Sequence, residues 1–213
     1  MSDPLRRLRP TGERAPAGTR RNAEEHIMGK VIYGVHTSVD GFIEGPNGEF
    51  DWPEMGEELS AYSIGLAERA DAFVYGRRVW EMMSSYWPQV ESISDHPHDL
   101  AFAPIWRRTP KVVVSRTLAE ASHGAVVVGG GDLAKEFAEV RERFPGDLLV
   151  TGGTGAATAL AALGLVDTYE VIVHPVVLGG GRQVLPGLAR QSLRLVETRR
   201  FDGRSVLLRY ARA

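Results

Sequence analysis

Residues 148–160, LLVTGGTGAATAL, run an apolar strand into a Gly-Gly turn and out onto a helix of small residues. Glycines let the backbone approach a ligand closely, and the unpaired N–H groups of the first helical turn point at an anion. The segment therefore demands an α/β arrangement and offers a phosphate cradle, although the same turn also serves packing alone. Two better-known phosphate loops are excluded by spelling. A P-loop needs Lys-Ser or Lys-Thr after its last glycine, and here Ala156 and Ala157 follow Gly155. A Rossmann fingerprint starting at Gly153 and Gly155 wants Gly or Ala where Thr158 stands, and it opens its domain instead of arriving late in the chain.

With 213 residues, 43% of them hydrophobic, the chain suits one domain around one sizeable core. A net charge of −2 and a pI near 6.3 supply no basic field for nucleic acid or a membrane surface, so a cofactor-sized ligand is the fitting partner. Cysteine is absent, which removes disulfides, thiolate catalysis and Cys-type zinc sites and makes a reducing cytoplasm the expected setting. The apolar runs are strand-sized, far below the ~20 residues that cross a bilayer. Residues 1–27 differ from the rest. Arg6, Arg7, Arg9, Arg14, Arg20 and Arg21 alternate there with Pro, Gly and Thr, and large apolar residues are few. Such a segment cannot offset its ordering entropy and is expected to be disordered, with the folded domain spanning 28–213 from Met28 onward. It reads as a start-site extension, with a transit peptide or a basic arm as the functional alternative.

From Lys30 strands and helices alternate. Strands are predicted at Val31–Thr37, Ala72–Tyr75, Lys111–Ser115, Ala125–Val128, Asp147–Thr151 and Thr168–His174, and helices at Glu57–Ala70, Arg78–Ser85, Leu133–Arg143 and Ala156–Leu163. Pro88–Pro110, with four prolines, reads mainly as a long surface loop. Leu193–Phe201 and Arg204–Tyr210 flank Asp202-Gly203, the spelling of a primed-turn antiparallel hairpin. The expected fold class is α/β, with a mixed, mostly parallel sheet flanked by helices and closed by that hairpin.

Three further segments complete a pattern. SVDGFIEGPNGEFDW at 38–52 is a polar, glycine-bearing loop ending in Trp52; YGRRVWE at 75–81 takes a strand into a helix through Gly76 and two arginines; VVVSRTL at 112–118 ends a strand in a hydroxyl and an arginine. Open α/β sheets bind ligands at such strand C-termini. Together with TGGTG and GLVDTYEVIVHPVVLGGGRQVLPG at 164–187, the set resembles the dihydrofolate reductase-like family, in particular the branch holding the reductase domain of the riboflavin-pathway deaminase/reductase. The resemblance covers residues 30–211 and implies an NADPH-dependent reductase with an eight-stranded sheet.

Carried over by position, Thr151, Gly152, Gly153, Thr154, Gly155 and Ala156 match the pyrophosphate-binding loop. Gly76, Arg77, Arg78 and Val79 match the turn that meets the cofactor phosphates, and Ser115 and Arg116 the loop beside the adenosine 2′-phosphate. Guanidinium groups give bidentate donors to a phosphate dianion, so NADPH is favoured over NADH. The family often has Thr where Val79 stands, and there a backbone N–H replaces a hydroxyl. The resemblance also implies a cis Gly152–Gly153 peptide and a homodimer, to which the hairpin and the apolar 176–185 segment would contribute surface.

The proton donor is open between two carboxylates and water. Asp40 lies in the loop that closes over nicotinamide in the family, or serves turn chemistry alone. Glu57, or Glu58, stands near the place of the family's helix carboxylate, or simply complements the helix dipole. His96 and His98 have no matching third ligand, so no metal site is expected. His174 reads as structural, and Trp80, Trp87 and Trp106 as core or pocket wall. The activity implied by the resemblance is hydride transfer to a C=N or C=O of a pyrimidine- or pterin-type substrate. A nucleotide-binding module without turnover is the rival. A short-chain dehydrogenase is the rival enzyme, and the absence of any tyrosine with Lys four residues later argues against it.

Overall fold

The computed structural model describes residues 28–213, so the expectation for residues 1–27 lies outside the described residues. In chain order the elements are β1 (Val31–Thr37), β2 (Phe42–Glu44), α1 (Glu57–Arg69), β3 (Ala70–Gly76), α2 (Arg77–Tyr86), a 3-10 turn (Trp87–Ser92), α3 (Pro97–Arg108), β4 (Lys111–Val114), β5 (Val126–Val128), α4 (Leu133–Arg143), β6 (Asp147–Thr151), α5 (Thr154–Ala162), β7 (Thr168–Val173), β8 (Arg182–Gln183), β9 (Leu193–Phe201) and β10 (Ser205–Arg212). Eight strands form one sheet in the order β5-β4-β3-β6-β1-β7-β10-β9. The pairings from β5 through β7 are parallel, and β10 runs antiparallel to both β7 and β9. This is the expected mixed, mostly parallel eight-stranded sheet with a C-terminal antiparallel pair.

Period-two alternation divides the core. Val31, Tyr33 and Val35 of β1 face α4 and α5, packing with Phe137, Val140, Ala157 and Leu160. On the other face Ile32 joins Ala67 of α1, Trp80 of α2 and Trp106 of α3. Trp106 donates its indole N–H to Tyr75 at 3.1 Å, so a polar atom in the core has a partner. The hairpin turn has positive φ at both Asp202 (52°) and Gly203 (66°), as a primed turn requires.

Two expectations are corrected. Pro88–Pro110 is not mainly loop, because α3 occupies most of it. Pro97 sits in the first helical turn, where its missing N–H costs nothing, and the His96 side chain accepts from His98 N–H at 3.2 Å as a cap. Pro104 lies inside the helix on an exposed position, while Ala103, Ile105 and Trp106 anchor the buried face. The second correction is the Gly152–Gly153 peptide: no peptide bond among the described residues is cis. The turn is made instead by two successive left-handed glycines, with φ of 79° at Gly152 and 81° at Gly153, a conformation open to residues without a Cβ.

Candidate active site

All the parallel strands present their C-terminal ends along one edge, where three turns stand side by side. The Gly76 turn follows β3, Ser115–Arg116 follows β4, and the glycine pair follows β6, and these three strands are neighbours. Two of the turns touch. A Cβ on Gly153 would lie 3.0 Å from Gly76 N, and one on Gly152 would lie 3.1 Å from Val79 Cγ1. Arg77 Nη1 donates to Thr117 Oγ1 at 3.0 Å, tying α2 to the turn after β4, and its Nε pairs with Glu81 at 2.7 Å. Ser115 is buried, and its Oγ accepts from Thr117 N and Leu118 N at 3.3 and 3.0 Å, shaping the turn that carries Arg116. Arg116 is exposed and has no ion pair among the described residues.

The α5 end supplies the cradle. Thr154 and Ala156 are buried, whereas Gly155 is exposed and a Cβ there would meet nothing within 4 Å. Thr151, the last residue of β6, is in register with Gly34 of β1. An open helix N-terminus is the kind of place that favours an anion, and the exposed Arg116 stands at the end of β4, two strands away from β6 on the same edge. A fourth segment leans over this edge. Glu44 of β2 binds Arg182 Nε at 2.6 Å and lies 3.9 Å from Arg78 Nη1. β2 and β8 pair as a two-stranded ribbon, which lines a hollow of about 630 Å³ with Pro46 and Pro186.

The two carboxylates named as proton donors have different surroundings. Asp40 accepts from Leu178 N at 3.1 Å and Gly179 N at 2.8 Å; the Ser38 side chain first, and then these amides, hold its carboxyl below the usual carboxylate range. These are the surroundings of a loop clasp. Glu57 is exposed in the first turn of α1 and makes no side-chain hydrogen bond to another described residue. Its neighbour Glu58 is engaged instead: Asp202 donates its backbone N–H to Glu58 Oε2 at 2.5 Å, while the Asp202 carboxylate accepts from Glu58 N at 2.9 Å and Leu59 N at 3.1 Å. The hairpin tip thus caps α1, whose own cap position is Gly56. A Cβ on Gly56 would fall 2.3 Å from the Asp202 carboxyl carbon.

Sequence reasoning missed a histidine pair. His36 Nδ1 lies 2.8 Å from His174 Nε2, with His36 at the end of β1 and His174 just past the end of β7. Those strands are neighbours, but nothing in the residue spelling says so. Trp52 meets the His174 ring edge-on at 5.5 Å between centroids, and its indole N–H is sealed without a hydrogen-bond partner. Trp52, Glu54, His174, Val176, Asp202 and Arg204 line a cavity of about 400 Å³. Burial first, then the neighbouring His174 and His98, hold His36 down at about 3; burial first and then Arg204 lower His174, against the opposing pull of Glu54. Burial thus disfavours the charged form of both rings.

Comparison with known proteins places these features in a family. Residues 29–207 match the family described as RibD C-terminal domain. The chain is similar to the uncharacterized protein YyaP of Bacillus subtilis (strain 168), 29% identical over 182 residues that cover 85% of this chain and 94% of YyaP. Among solved structures it is similar to a diaminohydroxyphosphoribosylaminopyrimidine deaminase/5-amino-6-(5-phosphoribosylamino)uracil reductase of Thermotoga maritima. There the TM-score is 0.64 and the identity 14%, over 87% of this chain and 57% of that one. It is also similar to dihydrofolate reductase of Enterococcus faecalis complexed with NADP(H), with a TM-score of 0.59 and 14% identity over 87% and 98% of the two chains.

Proposed function

Because the chain belongs to the RibD C-terminal domain family, we propose that it is an NADPH-dependent reductase acting on a C=N or C=O of a pyrimidine- or pterin-type heterocycle. The observation that carries this reading is the contact between the Gly76 and Gly152–Gly153 turns on adjacent strands, which sets two helix N-termini side by side at the ligand-binding edge. Thr151, Gly152, Gly153, Thr154, Gly155 and Ala156 would hold the pyrophosphate. Gly76, Arg77, Arg78 and Val79 would flank it, and Ser115 and Arg116 would take the 2′-phosphate. The coenzyme supplies the hydride; the chain supplies orientation and electrostatics.

The coenzyme preference rests on Arg116, since Arg77 already serves Glu81 and Thr117. Losing one charge-assisted contact costs about 1.5–3 kcal/mol, which is roughly 10- to 150-fold in affinity. Arg116→Ala is expected to weaken NADPH binding by that factor, read by quenching of tryptophan fluorescence, and to leave NADH nearly unchanged. Equal losses for both coenzymes would remove the 2′-phosphate assignment. NADPH oxidation with 5-amino-6-(5-phosphoribosylamino)uracil and with dihydropterins separates a reductase from a binding module, which binds coenzyme without consuming it.

The proposal extends to a cytoplasmic homodimer with no nucleic-acid or membrane partner. No described helix is long and apolar enough to cross a membrane. The hairpin tip is occupied by α1, so the surface open to a second copy lies on β9. That strand is the sheet edge and exposes Leu193, Leu195 and Val196. Light scattering at micromolar concentration is expected to give twice the chain mass, and Leu195→Arg to return it to one; a monomer mass for the unaltered protein would overturn the dimer.

A further inference from the structure

Hydride on the carbon of a C=N or C=O leaves a strongly basic nitrogen or oxygen that must be protonated, and the reductase reading names no donor for it. Asp40 is committed to two backbone amides, and Glu57 stands exposed on the outer turn of α1. We infer that His36 and His174 act as one proton-delivering unit, an assignment that rests on the reductase reading. His36 is the catalytic donor to the substrate, and His174 is the positioning residue that refills it.

Four observations carry this. The rings are joined by a 2.8 Å hydrogen bond between Nδ1 of His36 and Nε2 of His174, so each keeps one outer nitrogen, and neither outer nitrogen has a partner among the described residues. Neither outer nitrogen is among the sealed, partnerless side-chain atoms of the described residues, which are Trp52 Nε1 and Thr158 Oγ1. The position is right as well. Gly34 of β1 pairs with Thr151 at the end of β6, so His36 lies two residues beyond the end of β6, on the strand next to the glycine turn, while still paired with Ile172 of β7. Finally, His174 lines the 400 Å³ cavity behind it, which gives the pair a source of protons from solvent.

The step balances. At the start His36 carries its proton on Nε2, and His174 donates from its own Nε2 to His36 Nδ1. As the hydride arrives from the coenzyme, the His36 Nε2–H bond breaks and the proton goes to the substrate nitrogen or oxygen. The proton on His174 Nε2 crosses to His36 Nδ1, His174 Nδ1 takes one from water in the cavity, and the hydroxide left there is neutralised by a proton from bulk solvent, the proton that the reduction consumes overall. Both rings end neutral, with the tautomers exchanged. A neutral imidazole is a weak acid, and it suits an acceptor as basic as the one hydride addition creates. The groups facing the pair are His98 from α3, itself hydrogen-bonded to Ser60 of α1, Trp52 and Glu54 from the loop before α1, and Arg204 from the hairpin.

The first test needs no turnover. In protein labelled with 15N-histidine and saturated with NADP⁺, addition of 5-amino-6-(5-phosphoribosylamino)uracil or of a dihydropterin is expected to shift the His36 Nε2 resonance. If neither probe moves it, the proposal is overturned. The second test is kinetic. His36→Gln is expected to lower kcat about 10²- to 10⁴-fold with NADPH affinity unchanged. Added imidazole is expected to restore activity to His36→Gly, which a structural role would not allow. In mixed light and heavy water the unaltered enzyme is expected to show three protons in flight, and His174→Phe one. Turnover that survives His36→Gln overturns this proposal and leaves the reductase reading standing. Absence of both coenzyme binding and turnover in the unaltered protein overturns the reductase reading, and this proposal with it.

Discussion

Replacing Glu170 by alanine is expected to lower the unfolding free energy by about 3–5 kcal/mol, the cost of breaking a buried ion pair by deleting one partner. Glu170 on β7 is 3% exposed. Its two oxygens accept from Tyr62 of α1 at 2.5 Å and from Arg209 Nε of β10 at 2.8 Å, while Arg209 also donates to Tyr62 at 2.9 Å and pairs with Glu197 of β9. One carboxylate therefore joins helix α1 to strands β7 and β10, and Arg209 carries the link on to β9. Without it the tyrosine hydroxyl and part of the guanidinium stay behind without an acceptor, which destabilises more than never having had the pair. Urea denaturation reads the loss directly. Glu170→Gln, which keeps an acceptor, should lose less, and a cost below about 1 kcal/mol for the alanine variant would show that water replaces the carboxylate freely.

The second large effect is at Gly153. With φ at 81° and the Gly76 backbone N and Cα at 3.0 and 3.2 Å from where a Cβ would stand, alanine meets main chain on one side and a disfavoured conformation on the other. The resulting strain is about 1–3 kcal/mol, and relief requires the two turns to separate. Gly153→Ala is accordingly expected to weaken NADPH binding about 100-fold or more. Gly65→Ala in α1, outside the coenzyme turns and with only an ordinary 3.6 Å contact to the Arg69 side chain for its Cβ, is the control and should stay within a few-fold. Titration of coenzyme against intrinsic fluorescence decides it; unchanged affinity in Gly153→Ala would mean that this turn does not touch the ligand.

How much of this is legible in the residues depends on whether the information is local. Helix α4 and strands β6 and β9 agree with their predicted bounds to the residue, because Asp132 caps the one and period-two patterning or flanking glycines bound the others. The Asp202-Gly203 turn is equally readable, since its conformation belongs to two residues. Helix α3 is not, because four prolines outweigh a buried face of Ala103, Ile105 and Trp106 that only the sheet reveals. The three turns at the strand ends are legible because each follows its own strand. The histidine pair is not. HTS at 36–38 and VHP at 173–175 are far apart in the chain, and only the strand order, with β1 inserted between β6 and β7, brings them within a hydrogen bond.

The mutual clasp of Asp202 and Glu58 also has a bearing on synthesis. Helix α1 begins at a glycine with no side chain to offer, and its free amides wait for a carboxylate 144 residues later. A ribosome delivers that carboxylate 144 residues after the helix it caps. Until the final strands emerge, the wall of the cavity beside Trp52 stays open, and contacts so distant in sequence close slowly. The nascent chain can therefore fold its first helix only provisionally, and a polypeptide cut short before Asp202 would have a coenzyme edge but no finished chamber beside it.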